Sequence, residues 1–274
     1  MIEMTITEVQ QVSLDILKDV HEFCDKNNIK YSLCGGTLIG AVRHNGFIPW
    51  DDDVDIVMPR PEYDKFIHTY KSEKGYELFS PEIKRLKEVR LRISKVCDIN
   101  KTVMDKGFYD WTEEEVGIGI DIIPADGAPD DEYTAMKFIK DYRRKARLLN
   151  CYRVKYASFK SLKEQGNLFQ RMVFLVKKVI GYCVGPKSIN DIVSFQKKID
   201  YNSTSHFCAG VLYGKGEWLP KSIFDKLVLH KFEDTAFYIS SQYDQYLSSL
   251  FGNYMQLPPK EKQVSHEFYS YYWK

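Results

Sequence analysis

Four aspartates within five residues, Asp51, Asp52, Asp53 and Asp55, form the densest cluster of chemistry in the chain. Val54-Asp55-Ile56-Val57-Met58 is an apolar run that reads as a strand, and residues two apart on a strand share a face, so Asp53 and Asp55 point the same way. Carboxylates placed like this repel one another unless a cation lies between them, and hard oxygen donors favour Mg²⁺ or Mn²⁺. Upstream, the short apolar run Ile29 to Cys34 enters Gly35-Gly36-Thr37, and a helical pattern follows from Leu38 to Arg43. A glycine turn opening a helix offers backbone N–H groups to phosphate, with Thr37 as N-cap, and phosphate beside a two-carboxylate metal site is what phosphate-transfer chemistry needs. A plain tight turn demanding positive φ is the competing reading of the glycine pair. Arg43 and His44 close the short helix, either complementing its dipole or reaching a substrate phosphate, and Gly46 reads as its stop.

A third carboxylate stands in VGIGIDIIP, residues 116–124. Val116, Ile118, Ile120 and Ile122 make one face of a strand; Gly117, Gly119 and Asp121 make the other, and the two glycines suggest open space for something bulky. An aspartate in an apolar strand is costly unless paired or metal-bound, so Asp121 is either a third metal ligand or half of a salt bridge. Lys95, among alternating apolar residues from Leu91 to Val96, is either a phosphate ligand or a snorkelling edge lysine. A calcium hand is the rival for the acidic run, since Asp51, Asp53, Asp55 and Glu62 fit its ligand spacing. Its sixth position requires glycine and here holds β-branched Ile56, and Pro59 and Pro61 fall inside the loop, which argues against it.

The elements that must position these groups are legible as periodicity. Residues 5–27 read as an amphipathic helix, with Thr5 and Glu8 as a capping box and Val9, Val12, Ile16, Val20 and Phe23 on one face. Pro59 and Pro61 open a helix burying Tyr63, Phe66, Ile67 and Tyr70, and Tyr76 to Phe79 reads as a strand. Leu227 to His230 and Phe237 to Ser240 read as strands, followed by a helix with Tyr243, Tyr246, Leu247 and Leu250 and an aromatic tail from Phe268 to Trp273. The tail suits either packing or a cage for a quaternary ammonium; Trp50, Tyr109 and Trp111 are further candidates for such a cage.

The 274 residues are 44% hydrophobic and 28% charged with net charge +1, an ordinary soluble composition. That neutrality is deceptive. Between Lys137 and Lys178 there are 13 Lys and Arg against 2 Asp and Glu, leaving the rest of the chain acidic. Leu168, Met172, Leu175, Val176 and Val179 share a face of a helix in this basic segment, which either packs into the core or lies on an anionic membrane or polymer. Gly181, Gly185 and Pro186 mark a linker back to the body. No secretory signal pattern and no apolar run near the roughly 20 residues of a membrane span is present. Six cysteines without CxxC spacing point to a reduced, cytoplasmic setting. No nucleic-acid-binding motif accompanies the basic charge, so no nucleic-acid partner is expected.

GGTLIGAVRHNGFIPWDDDVDIVMPRPEYDKF, GIDIIPADGAP and FGNYMQLPPKEKQVSH together resemble the LicD family, which includes the fukutin-type ribitol-phosphate transferases, across nearly the whole chain. The resemblance implies an α+β, nucleotidyltransferase-like (polymerase-β-type) fold: a mixed sheet flanked by helices, with a basic helical insertion. One domain, 1–274, is expected, with a core at 1–134, a basic lobe at 135–185 and a C-terminal part at 186–274. The family's phosphate-binding GG(T/S) falls on Gly35, Gly36 and Thr37, and its metal-holding carboxylates on Asp53, Asp55 and Asp121. Its members move a phosphorylated alcohol, often phosphorylcholine, from a CDP carrier to a sugar hydroxyl of a surface glycan. A Mg²⁺- or Mn²⁺-dependent transferase is therefore expected, using CDP-choline and acting on a lipopolysaccharide or teichoic acid precursor. Asp51, Asp52 or Asp121 would take the acceptor's proton, and Arg43, His44, Trp50 and Lys95 would contact substrate. The acceptor would be lipid-linked and anionic, met at the inner face of the plasma membrane, with peripheral contact through 137–178. The fukutin-related branch carries a zinc-finger loop with no cysteine counterpart here, so no zinc is expected. The rival readings are a nucleotidyltransferase releasing pyrophosphate and a non-catalytic protein that tethers to membrane or polyanion.

Overall fold

The computed structural model describes residues 2–83, 93–105, 116–155, 166–185, 187–210, 214–265 and 270–274. Helix α1 (Ile6–Lys26) begins at the expected capping box: the Glu8 amide donates to Thr5 Oγ1 and the Thr5 amide to Glu8 Oε2. Its face of Val9, Val12, Ile16 and Val20 is buried against the main sheet. That sheet runs β2 (Ser32–Leu33), β3 (Asp55–Pro59), β7 (Ile118–Ala128), β5 (Ser94–Asp98) and β4 (Glu77–Phe79), with β8 (His206–Ala209) on β7 and β9 (Trp218–Pro220) on β8. Only β3 and β7 pair in parallel; the other pairs are antiparallel. The chain is thus α+β, with a mixed sheet and flanking helices, as the sequence implies.

Strand β7 is the spine of this sheet. Its first half lies between β3 and β5, and its second half trades β5 for β8. Pro124 falls between the last β5 partner, Ile122, and the first β8 partner, Ala125, a place where a strand tolerates a residue without an N–H. The space beside Gly117 and Gly119 is not open, contrary to the sequence reading. A Cβ on Gly117 would run into the Asp98 carbonyl, and one on Gly119 into Cys97 Sγ, so these glycines let β5 and its following turn close against β7.

A second sheet joins β1 (Ile2–Glu3), β12 (Ser270–Trp273) and β6 (Thr102–Asp105), and β10 (Leu227–Phe232) and β11 (Thr235–Ser240) form a hairpin. Helix α2 spans Gly35–His44, α3 Arg60–Thr69, α4 Glu132–Val154, α5 Leu168–Val184, α6 Lys187–Gln196 and α7 Tyr243–Phe251. The expected strand start at Leu91, the turn residue Tyr213, Pro186 of the linker, and Phe268 and Tyr269 of the tail lie outside the described residues. Gly181 is not a linker residue: it lies within α5, where only its missing Cβ lets the helix approach the Cys151 carbonyl of α4. The apolar face of α5 also departs from the core-packing reading. Phe174 and Gly181 are buried, whereas Leu168, Met172, Leu175, Val176 and Val179 are all exposed.

At the start of α3 the buried Arg60 guanidinium gathers acidic partners from its own helix, from β7 and from the bend after β4. Its Nε donates to Asp126 Oδ1 (2.6 Å) and its Nη1 contacts Glu82 Oε1 (2.8 Å) and Asp64 Oδ1 (3.2 Å). Burial pushes Asp126 up to about 7 even though Arg60 pulls it down. Arg60→Met would leave the almost fully buried Asp126 without its cation, while Glu82 keeps Lys197 as a partner, so urea denaturation should show a loss of about 3 kcal/mol.

Candidate active site

Three of the residues singled out in the sequence lie in one row across the sheet. Asp55, the first residue of β3, pairs directly with Asp121 of β7, and Asp121 pairs with Lys95 of β5. Residues paired across neighbouring strands project from the same face, so the order reads carboxylate, carboxylate, ammonium. The Lys95 ammonium is ion-paired with Asp121 Oδ1. Asp121 therefore has the salt-bridge partner that was one of its two readings, and Lys95 is its counter-ion rather than a free-standing edge lysine. Burial disfavours the charge on Lys95, yet Asp121 and then the Tyr271 phenol outweigh it and hold its pKa above the usual lysine range. Asp55 behaves oppositely. Burial, then the charges of Asp53 and Asp121, push its carboxyl well above the ordinary range against the pull of Lys95.

Helix α2 starts beside Asp55 because the backbone ties it there. The Cys34 amide donates to the Asp55 carbonyl (3.1 Å), and the Asp55 amide donates to Thr37 Oγ1 (2.8 Å). Thr37 is thus not the N-cap. The helix begins two residues earlier, with Cys34 at the cap position and no side-chain capping bond, and the Thr37 hydroxyl instead fastens the first turn of α2 to β3. Gly35 takes φ +55°, and a Cβ there would stand 3.1 Å from Asp55 Oδ2; a Cβ on Gly36 would stand 2.7 Å from Asp51 Oδ2. Both glycines of the turn consequently border carboxylates of the acidic run. Gln10 of α1 holds that run in place by donating to the Asp51 carbonyl (2.8 Å).

At its other end α2 stops at Asn45, in the left-handed region at φ 56°, rather than at Gly46. Gly40 serves a close approach, since a Cβ there would stand 2.5 Å from the Gly46 carbonyl, and a Cβ on Gly46 would run into the Glu233 carboxylate. Arg43 donates through Nη1 to the Tyr254 carbonyl (2.7 Å) and through Nε to His44 Nε2 (3.0 Å), which fastens the segment after α7 to this helix. Burial and then Arg43 lower the His44 pKa, and its ring meets Trp50 edge-on at 6.4 Å. Arg43 and His44 stand about 12 and about 14 Å along the helix from Gly35 by the rise per residue. Tyr109 and Trp111 lie outside the described residues.

Two tyrosines join the site: Tyr246, which no motif had marked, and Tyr271, from the aromatic tail. Tyr246 of α7 is buried with its phenol beside Cys34 and Asp55, and the Gly35 backbone bonds to its oxygen. Tyr271 of β12 is half-buried, near Lys95, Asp52 and Asp121. Burial raises the pKa of both phenols, so both are neutral near pH 7.

Among family models, that described as "LicD/FKTN/FKRP, nucleotidyltransferase domain" matches residues 28–163. A lipopolysaccharide cholinephosphotransferase LicD of Haemophilus influenzae is 31% identical over 278 residues, covering 98% of each chain. This chain belongs to the LicD family. Shorter matches join it to two uncharacterised rickettsial proteins. One, from Rickettsia prowazekii, is 41% identical over 73 residues, 23% of this chain and 27% of that protein; the other, from Rickettsia typhi, is 58% identical over 52 residues, 19% and 17%. The segment matched by the LicD family model holds Gly35, Asp55, Lys95 and Asp121, and leaves Tyr246 and Tyr271 outside it.

The site of this LicD-family chain suits a hard divalent cation by its donor chemistry. Asp53, Asp55 and Asp121 concentrate negative charge, Lys95 offsets part of it, and the raised Asp55 pKa records the excess. Among the described residues no three His, Cys, Asp or Glu side chains already stand at metal-holding spacing, and the Asp121 oxygen that faces Lys95 is engaged. Gly35 provides a direct check on the turn. An alanine there would cost about 1–2 kcal/mol for its left-handed backbone alone, and its methyl would press on Asp55. A thermal melt should show that modest loss, while Mn²⁺ titration should show a larger proportional loss of affinity.

Proposed function

We propose that this chain is a metal-dependent transferase that moves phosphorylcholine from CDP-choline to a sugar hydroxyl of a surface glycan. The observation that carries this reading is the direct pairing of Asp55 with Asp121 beside the first turn of α2, in a chain whose full-length relative is named a lipopolysaccharide cholinephosphotransferase. The description of the matching family model supports a nucleotidyltransferase-like fold for this sheet. Mg²⁺ or Mn²⁺, held by Asp53, Asp55 and Asp121, would neutralise the charge that develops on the diphosphate as CMP departs.

The protein's own groups have separable tasks. The backbone amides at the first turn of α2 orient the phosphates, as helix N-termini do. Thr37 holds Asp55 at that turn through the Asp55 amide. Lys95 fixes the orientation of Asp121. Asp51, Asp52 or Asp121 takes the proton of the sugar hydroxyl as its oxygen bonds to phosphorus and the phosphoanhydride bond to CMP breaks. Arg43, His44 and Trp50 would contact substrate, Arg43 from the far end of α2, where it also holds the Tyr254 carbonyl. The acceptor is a lipid-linked, anionic precursor of lipopolysaccharide or teichoic acid, met at the inner membrane face.

Product analysis tests this reading. The protein and its Asp53→Ala variant are incubated with Mg²⁺, a glycolipid extract, and CDP-choline, CDP-ribitol, CDP-glycerol or nucleoside triphosphates. CMP released from CDP-choline by the parent alone is the expected result. Pyrophosphate released from a triphosphate would replace it with a nucleotidyltransferase, and CMP from CDP-ribitol or CDP-glycerol would change the alcohol.

A further inference from the structure

Helix α5 presents its apolar side to solvent. At 3.6 residues per turn, the buried Phe174 and Gly181 that seat it on α4 fall opposite Met172, Val176 and Val179. The outward arc is continuous. Leu168 and Phe169 are each 74% exposed, Val179 64%, Met172 59% and Val176 56%. Scattered apolar residues on a surface are ordinary, but a full helical face aimed away from the body marks a contact site.

Charge identifies the occupant. Lys177 borders the arc on one side and Arg171 and Lys178 on the other, and α5 contains no acidic residue. Helix α4, on which it rests, adds Arg143, Arg144, Lys145 and Arg147. A second copy of this chain would bring a second strongly basic segment against the first, which is repulsive; an anionic lipid surface is complementary. Among the described residues no helix is long and apolar enough to cross a membrane. We propose that α5 lies in the plane of an anionic bilayer, with Leu168, Phe169, Met172, Val176 and Val179 in the acyl boundary and Arg171, Lys177 and Lys178 at the headgroups. The assignment stands apart from the transferase reading, since it uses neither the carboxylate row nor a nucleotide.

Vesicle flotation of the full chain tests it, with phosphatidylcholine vesicles lacking or containing phosphatidylglycerol and no nucleotide present. The parent should float with the anionic vesicles and stay down with the neutral ones. Phe169→Glu and Val176→Glu should each weaken anionic binding at least about tenfold with the melting temperature unchanged, because both positions face solvent. Val176→Ser provides a milder version should either glutamate disturb the helix, and Arg171→Glu with Lys177→Glu should weaken binding through charge alone. Unchanged flotation of the apolar variants would overturn the proposal. So would a parent that sediments as a dimer without lipid and becomes monomeric on Val176→Glu, since α5 would then be a self-association face. Failure of the CDP-choline assay would leave these readings untouched.

Discussion

Asp55→Asn should lower turnover by about 10³-fold or more, the scale on which removing one charge-stabilising group from a reacting centre acts, while making the metal-free protein more stable. The two effects share a cause. Asp55 is half-buried at the start of β3 with Asp53 and Asp121 as like-charged neighbours, and its carboxyl is pushed upward by desolvation first and those charges second. A carboxyl whose folded pKa exceeds its unfolded value takes up a proton on folding, so its contribution to stability is present in acid and is lost as pH rises. Asn has no charge to bury. The gain in melting temperature should therefore be greatest at neutral to alkaline pH and vanish below the unfolded pKa of about 3.9. Thermal melts in EDTA across this range check the sign, and melts with Mg²⁺ should stabilise the parent but not the variant. Equal loss of activity and stability would instead make Asp55 a structural residue.

Lys95→Met should destabilise the metal-free protein by about 2 kcal/mol, between the cost of breaking an exposed ion pair and a fully buried one. The intermediate value follows from partial burial, since the Lys95 and Asp121 side chains keep 32% and 19% of their surface in solvent. The raised Lys95 pKa means that the pair's contribution is complete below the usual lysine range and is lost only in alkali, so the deficit should be level across neutral pH. Added Mg²⁺ should recover much of it, because the cation would take over the charge that Lys95 balances. A double-mutant cycle with Asp121→Asn should give a coupling of about 1 kcal/mol or more. A deficit indifferent to both Mg²⁺ and Asp121→Asn would show that Lys95 acts through its alkyl packing alone.

The local elements were legible because each has a local cause. The Thr5 and Glu8 capping box set the start of α1, the prolines at 59 and 61 set the start of α3, an apolar run marked β3, and alternation marked the first half of β7. The carboxylates were legible too, as residues too costly to leave on apolar strands. What failed were inferences about space. Gly117 and Gly119 looked like room for a ligand, but backbone and thiol from the neighbouring strand fill it, and no one-dimensional pattern reports what lies across a strand. Thr37 looked like a cap because cap and first-turn threonines look alike in sequence; the difference is its bond to Asp55, distant along the chain. Tyr246 had the spacing of an ordinary packing residue and Tyr271 stood in a tail that read as either packing or a cage; only the fold brings their hydroxyls to the site. For α5 the periodicity was right and the direction it faces was not knowable, since an apolar stripe does not say what it meets.

The row of Asp55, Asp121 and Lys95 comes from β3, β7 and β5, strands that are neighbours in space but not consecutive in the chain, and its single parallel pair needs a long crossover. Loops of that length close late during folding, after helices such as α1 have formed. On dilution from denaturant, far-ultraviolet ellipticity should therefore return before the ability to bind Mn²⁺. A chain caught between those two events would have its helices and no usable site.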